Sequence, residues 1–327
     1  APRNPIEEMV AAIWAELLDV NRVGIHDDFF ALGGHSLLAT QVVARVRRTL
    51  GVELPLRAMF EAPMLAEFAR RIELARQDGR VPQAPPITRV ESRDQLPLSF
   101  AQQRLWFLDQ LEPGNALYNM PQVFRVRGEL NSDALHRALN KIVERHESLR
   151  TSFVLQNNKP VQSIAPSSQI PVLTTDLSGL SEPQREDRVQ QLAYEEARRP
   201  FNLSSGPVMR AHLLRLASDD HVLLLTMHHI ASDRWSMGLV AEELAVHYSA
   251  FSQGKPSPLP GLAIQYADFS VWQRKWLQGE VLNAQLEFWK KQLAGAPQIL
   301  ELPTDRPRPP QMSMRGEMQS VLLSRKL

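Results

Sequence analysis

Val222-Leu223-Leu224-Leu225-Thr226-Met227-His228-His229-Ile230-Ala231-Ser232-Asp233-Arg234-Trp235-Ser236 decides the fold class of most of this chain. Four consecutive apolar residues leave no polar face, so the run predicts a strand covered on both sides and central in its sheet. A helix is expected from about Ser236 to Tyr248. Upstream, Val208 to Leu216 reads as a second strand, joined to the first by the tight connection Ser218-Asp219-Asp220. Further back, Phe124, Val126, Gly128 and Leu130 alternate with Arg125, Arg127 and Glu129, as in a strand with one wet face. Asn131 or Ser132 can cap the next helix, striped by Leu135, Leu139, Ile142, Val143 and His146. Helices and strands interleave here, so this part is α/β.

The end of a central strand, just before a helix, is where α/β folds place their sites. A histidine there can titrate near neutral pH and act as a general base. Asp233 can orient an imidazole or anchor the loop through an arginine. Equally, His228 and His229 can be satisfied core histidines, and the residues alone leave these readings open.

The first 75 or so residues are different. Asn4 caps, Pro5 suits the first helical position, and Glu7 sits three residues after the cap. Val10, Ile13, Trp14, Leu17 and Leu18 then form a one-sided helical stripe. A loop with Gly24, Asp27 and Asp28 leads to Leu32-Gly33-Gly34-His35-Ser36-Leu37 and a helix from about Ser36 to Leu50, stopped by Gly51. Its buried-face candidates are Leu38, Val42, Val46 and Leu50. A third helix, from about Met64 to Ala75, uses Leu65, Phe68, Ala69 and Ile72. With no strand signal, this is a small helical bundle. Ser36 either caps its helix or presents its hydroxyl at the N-terminus, where free amides and the dipole favour a phosphate. A Pro-rich aperiodic stretch follows, spanning at most ~60 Å between Gln77 and Asp94.

Composition narrows the function. With 37 Lys+Arg against 36 Asp+Glu, the net charge of +1 gives no general field for nucleic acid or an anionic membrane. The absence of Cys excludes disulfides, thiolate catalysis and cysteine-ligated metal centres, and no metal site is expected. No window approaches 18 uninterrupted apolar residues, and the first helix is acidic and amphipathic rather than a signal core. A soluble, cytoplasmic, multidomain protein is expected.

Asp27-Asp28-Phe29-Phe30-Ala31-Leu32-Gly33-Gly34-His35-Ser36-Leu37 resembles the signature of peptidyl carrier domains from nonribosomal peptide synthetases, and residues 1 to about 76 match that family's length and helical layout. The resemblance implies 4′-phosphopantetheine on Ser36 as a phosphodiester, with Gly33, Gly34, His35 and Leu37 completing the motif. The terminal thiol of that arm would supply the sulfur chemistry the chain lacks. Met227 to Ser236 resembles the HHxxxDG motif of synthetase condensation domains, relatives of chloramphenicol acetyltransferase. Ser99 to Leu108, Arg145 to Phe153 and Tyr266 to Trp272 are similar to further motifs of that family in the same order. The wording of Ser99 to Leu108 is closest to the subtype accepting an L-configured donor.

These resemblances imply a carrier at 1–76, a linker at 77–95, the N-terminal lobe of a condensation domain at 96–310, and the start of its C-terminal lobe at 311–327. His229 would stand at the reacting centre and His228 would be structural. Asp233 would form a buried, supporting ion pair with Arg150. Arg234 replaces the motif's Gly and, with Trp235 and Ser236, would border the acceptor route, as a gate or as a ligand for a phosphate. The implied function is presentation of an aminoacyl or peptidyl thioester to the condensation domain, where the amine on a downstream carrier attacks it. Implied partners are an upstream adenylation domain, downstream carrier and adenylation domains, and a phosphopantetheinyl transferase. An epimerisation-type domain shares the His motif but departs at Ser99 to Leu108. A docking module closed by Arg234 is the other alternative.

Overall fold

Residues 2–78, 84–300 and 303–307 are described in the computed structural model of the chain. They fall into two units divided at Pro85 and Pro86. Residues 79–83 of the expected linker and the expected start of a second lobe at 311–327 lie outside the described residues.

In the first unit, Asn4 Oδ1 accepts the Glu7 amide at 2.8 Å and starts α1 (Pro5–Leu18). The Glu7 carboxylate turns to Arg3 rather than closing a box on Asn4, bonding the Arg3 amide at 2.7 Å and its guanidinium. Helix α2 (Ser36–Leu50) ends at Gly51 with φ 65°, and a short α3 (Arg57–Glu61), which the sequence pattern does not signal, precedes α4 (Leu65–Asp78). Val10, Ile13 and Trp14 meet Val42, Val46, Leu65, Phe68 and Ile72 in one core. On α2 the fully buried stripe is Ala39, Val42 and Val46, while Leu38 and Leu50 are half-buried at its margin.

The second unit holds β1 (Leu96–Pro97), α5 (Phe100–Leu111), β2 (Asn119–Arg127) and α6 (Ser132–Arg145). A 3₁₀ turn (Glu147–Arg150), β3 (Thr151–Gln156), β4 (Lys159–Ile164), β5 (Val172–Asp176) and α7 (Glu182–Arg198) come next. The described chain continues with β6 (Met209–Arg215), β7 (Asp220–His228), α8 (Arg234–Ser252), α9 (Tyr266–Trp276) and α10 (Gly279–Gln292). A three-stranded sheet runs β1-β4-β3, and a mixed four-stranded sheet runs β2-β7-β6-β5, with β5 parallel to β6 and the other pairs antiparallel.

Strand β7 occupies an inner position, as its continuous apolar run predicts. Leu223, Leu225 and Met227 pack under α6 and α8, while Val222 and Leu224 pack under α7 with Leu177, Val189 and Leu192. The period-2 alternation of side chains sends His228 to the α7 side. Asn131 caps α6 by accepting the Ala134 amide at 3.0 Å. His146, expected on the stripe of that helix, is instead its C-cap, and its Nε2 lies 2.9 Å from Glu243 on α8.

Candidate functional site

Around Ser36 each motif residue has a structural task. Asp28 Oδ1 accepts the amides of Phe30 and Ala31 at 2.8 and 3.0 Å, folding the loop into a turn. Phe29 is fully buried and meets Trp14 edge-to-face at 5.0 Å. The loop then crosses over Phe29 so closely that a Cβ at Gly34 would lie 2.4 Å from the ring and from the Phe29 carbonyl oxygen, so only glycine fits there. Gly33 adopts φ +98°. This path delivers Ser36, exposed, to the first position of a 15-residue helix whose N-cap, His35, makes no side-chain cap bond. The Ser36 hydroxyl makes no hydrogen bond among the described residues. An open hydroxyl beside uncapped amides at a positive helix end fits a phosphodiester.

At the end of β7 the two histidines part company. His228 is 4% exposed, touches Phe201 edge-on at 5.9 Å and faces Tyr118 at 6.3 Å. Its Nδ1 accepts the Ile230 amide at 3.0 Å, so the ring is neutral. Burial, then the charges of His229 and Arg210, hold its pKa down at about 4. His229 is exposed, and its backbone amide bonds the Tyr118 carbonyl at 2.8 Å. Its Nδ1 lies 2.6 Å from the Ser232 carbonyl oxygen. A carbonyl only accepts, so Nδ1 carries a hydrogen, and in the neutral imidazole Nε2 is then the acceptor.

The turn between the histidine and the helix is braced locally. Ser232 Oγ donates to the His228 carbonyl at 3.1 Å. Asp233 is the N-cap of α8: its Oδ1 accepts the Ser236 amide at 2.8 Å and the Ser236 hydroxyl at 2.7 Å, and Ser236 Oγ accepts the Asp233 amide at 3.2 Å. Partial burial pushes the Asp233 carboxyl up. The hydrogen bonds from Ser236, the field of His229 and the Trp235 amide outweigh it, leaving the carboxyl below its ordinary range.

The expected ion pair between Asp233 and Arg150 does not form. Arg150 ends the 3₁₀ turn, where residues three apart eclipse, so it meets Glu147 at 3.9 Å and donates to the Ala165 carbonyl. Asp233 is exposed and saturated by its own helix, as N-cap chemistry dictates. Arg234 and Trp235 are exposed in the first turn of α8, and Arg234 makes no hydrogen bond or ion pair among the described residues. Ser232 is not singled out by spacing. Its place inside the motif is its sequence signal, and to His229 itself it offers a backbone carbonyl that any residue supplies, while its hydroxyl braces the turn.

Comparison with known proteins settles what the two sites belong to. A phosphopantetheine attachment site model matches residues 8–72, and a condensation domain model matches residues 92–327. The chain belongs to the condensation-domain family. It is a carrier–condensation segment of the nonribosomal peptide synthetase kind, and its carrier part implies 4′-phosphopantetheine on a serine. Malpibaldin synthetase of Mortierella alpina is 47% identical over 319 residues, 97% of this chain and 6% of that protein. Gramicidin S synthase 2 of Brevibacillus brevis is 40% identical over 316 residues, 97% of this chain and 7% of that protein. The segment thus spans a small part of its curated relatives. Among solved structures, the X-domain in complex with OxyB from teicoplanin biosynthesis matches at 31% identity and a TM-score of 0.61, covering 70% of this chain and 50% of that one. The first condensation domain of the CDA synthetase shares the fold at 23% identity and a TM-score of 0.58, covering 65% and 53%. Among the described residues, no helix is long and apolar enough to cross a membrane and no acidic, His or Cys cluster is arranged to hold a metal ion.

Proposed function

We propose that this segment joins a carrier-bound acyl donor to an amine, forming an amide bond, with Ser36 as the attachment point and His229 as the catalytic residue. The observation that carries this reading is the bond between His229 Nδ1 and the Ser232 carbonyl, which leaves Nε2 of this exposed residue as the ring's acceptor. When bound, the 4′-phosphopantetheine arm supplies a thioester, whose acyl carbon is open to amine attack. His229 Nε2 would hold the attacking amine by accepting its hydrogen and take the proton as the C–N bond forms and the thioester C–S bond breaks. That proton goes on to the departing thiolate, so the products are the amide and the arm's free thiol. Asp233 and Ser232 keep the ring in place through the turn they brace. His228 is a neutral structural anchor beneath it.

Amine attack on a thioester is intrinsically favourable, so positioning supplies much of the rate. Arg234, Trp235 and Ser236 border the acceptor route, and the motif Ser99 to Leu108 supports an L-configured donor. The partners this reading requires are an upstream adenylation domain, a downstream carrier with its own adenylation domain, and a phosphopantetheinyl transferase that modifies Ser36.

One experiment tests both assignments in a synthetase carrying this segment. Coenzyme A and a transferase should add one phosphopantetheine to the intact mass, and Ser36→Ala should abolish the addition. His229→Ala should load normally but form product about 10²–10⁴ times more slowly. Loading of Ser36→Ala, or an unchanged rate in His229→Ala, refutes the corresponding assignment.

A further inference from the structure

We propose that the segment joining the carrier bundle to the condensation unit is a short leash clamped at both ends, and that Glu53 and Asp268 are positioning residues for donor delivery. The second clause rests on the carrier–condensation reading above.

The carrier end is held at Ala84, which is 5% exposed. Its carbonyl accepts from the Arg47 guanidinium and its amide donates to Glu53 Oε2 at 3.3 Å. Arg47 and Glu53 are themselves 3.8 Å apart, so one ion pair grips both polar groups of one residue.

The other end is held at Val90 and Arg93. Asp268 lies in the Tyr266 to Trp272 motif, which the site chemistry does not use, and its side chain is 0% exposed. Asp268 Oδ1 accepts the Val90 amide at 2.9 Å and Arg93 Nη1 at 2.7 Å, and Oδ2 accepts the Gln265 amide at 2.7 Å. Arg93 also reaches Glu147 at 3.5 Å, within the Arg145 to Phe153 motif. A buried carboxylate is tolerated only when paired and hydrogen-bonded, and two of the three donors to Asp268 come from the linker. The linker therefore supplies partners to a buried carboxylate of the condensation unit, while Val90 and Arg93 themselves are half-buried. Two of the family motifs converge on this clamp.

Only Pro85, Pro86, Ile87, Thr88 and Arg89 separate the two anchors. Six residue steps span at most ~20 Å, against ~60 Å for the linker judged by composition alone. Two of the five are prolines, which stiffen the connection. A leash this short keeps the carrier's local concentration high. If the condensation-side clamp opens, the next fixed residue is Leu96 in β1, twice as many steps from Ala84. Effective concentration then falls about threefold, following the −3/2 power of tether length.

Hydrogen exchange on the whole chain tests the clamps without any turnover. The Ala84 and Val90 amides should be protected, while those of Ile87, Thr88 and Arg89 exchange freely. Asp268→Ala should accelerate exchange at Val90 by roughly 10–100-fold, the worth of a bond to a charged acceptor, and leave Ala84 protected. Glu53→Ala should do the reverse. If Asp268→Ala loses its fold, seen as general exchange across α9, Asp268→Asn is read instead. It keeps the side-chain volume while turning the charged acceptor of the Val90 amide neutral, and exchange at Val90 should again accelerate, by a smaller factor. A Val90 amide as labile as Thr88 in the unaltered chain, or one still protected in the folded variants, overturns the leash. For delivery, the folded Asp268 variant should slow product formation from the carrier-bound donor by up to about threefold and leave the rate with a soluble aminoacyl-pantetheine thioester unchanged. Equal slowing of both overturns the positioning role. If neither donor reacts in any variant, the functional reading fails while the exchange result still decides the leash.

Discussion

Lowering the pH from 7 to 5 should weaken the condensation unit through His228. In the unfolded chain this ring titrates at 6.5, and in the folded unit burial first, then the fields of His229 and Arg210, hold it at about 4. Between those values the unfolded chain binds a proton that the folded chain refuses, so stability falls as pH drops. The full window is worth about 3 kcal/mol, and about 2 kcal/mol of it lies between pH 7 and pH 5. The local geometry explains why the proton is refused: Nδ1 accepts the Ile230 amide, and a protonated ring has no lone pair to accept with. Urea unfolding at pH 7, 6 and 5, extrapolated to water, reads the loss directly. His228→Asn keeps an acceptor near Nδ1 but cannot titrate, so it should be less stable than wild type at pH 7 and markedly flatter below it. His212 and His247 are also lowered by burial, act in the same direction, and cancel between the two proteins. An equal pH 7-to-5 loss in wild type and His228→Asn would refute the buried-neutral account.

Asp233→Ala should cost about 1 kcal/mol in melting of the condensation unit through loss of the α8 cap, and Asp233→Asn should recover most of it. Equal losses in the two variants would indicate charge pairing instead of capping. Gly34→Ala should destabilise the carrier by about 1–3 kcal/mol through overpacking against Phe29, with a matching loss of Ser36 loading. A carrier that melts and loads as wild type would show that Phe29 can yield.

Much of this was legible from sequence because periodicity and burial coincide. The apolar run from Val222 to Leu225 is inner because α7 and the α6–α8 pair cover both its faces. The stripe from Leu65 to Ile72 is buried as its spacing requires. Residues that contribute through backbone geometry left no such mark. Ser232 positions His229 with a carbonyl, and Ala84 is clamped by its own amide and carbonyl. Ion-pair partners were the least legible. Arg150 meets Glu147 and the Ala165 carbonyl and not Asp233, whose carboxylate caps its own helix.

The two helix starts, compared, bear on what Arg234 does. At α2 no side chain caps the amides, and the exposed hydroxyl of Ser36 stands where a phosphate would be welcomed. At α8 the Asp233 carboxylate already occupies the Ser236 amide and supplies negative charge to the positive helix end. A second anion there would meet that carboxylate and find the amide taken. Arg234 therefore offers a phosphate one guanidinium and no helix terminus, a much weaker site than α2 provides. Nor does the cation help its own helix, since positive charge at an N-terminus opposes the dipole. On the function proposed above, a side chain that costs stability and binds anions poorly, exposed beside the His229 turn, suits narrowing an acceptor route better than gripping an incoming arm.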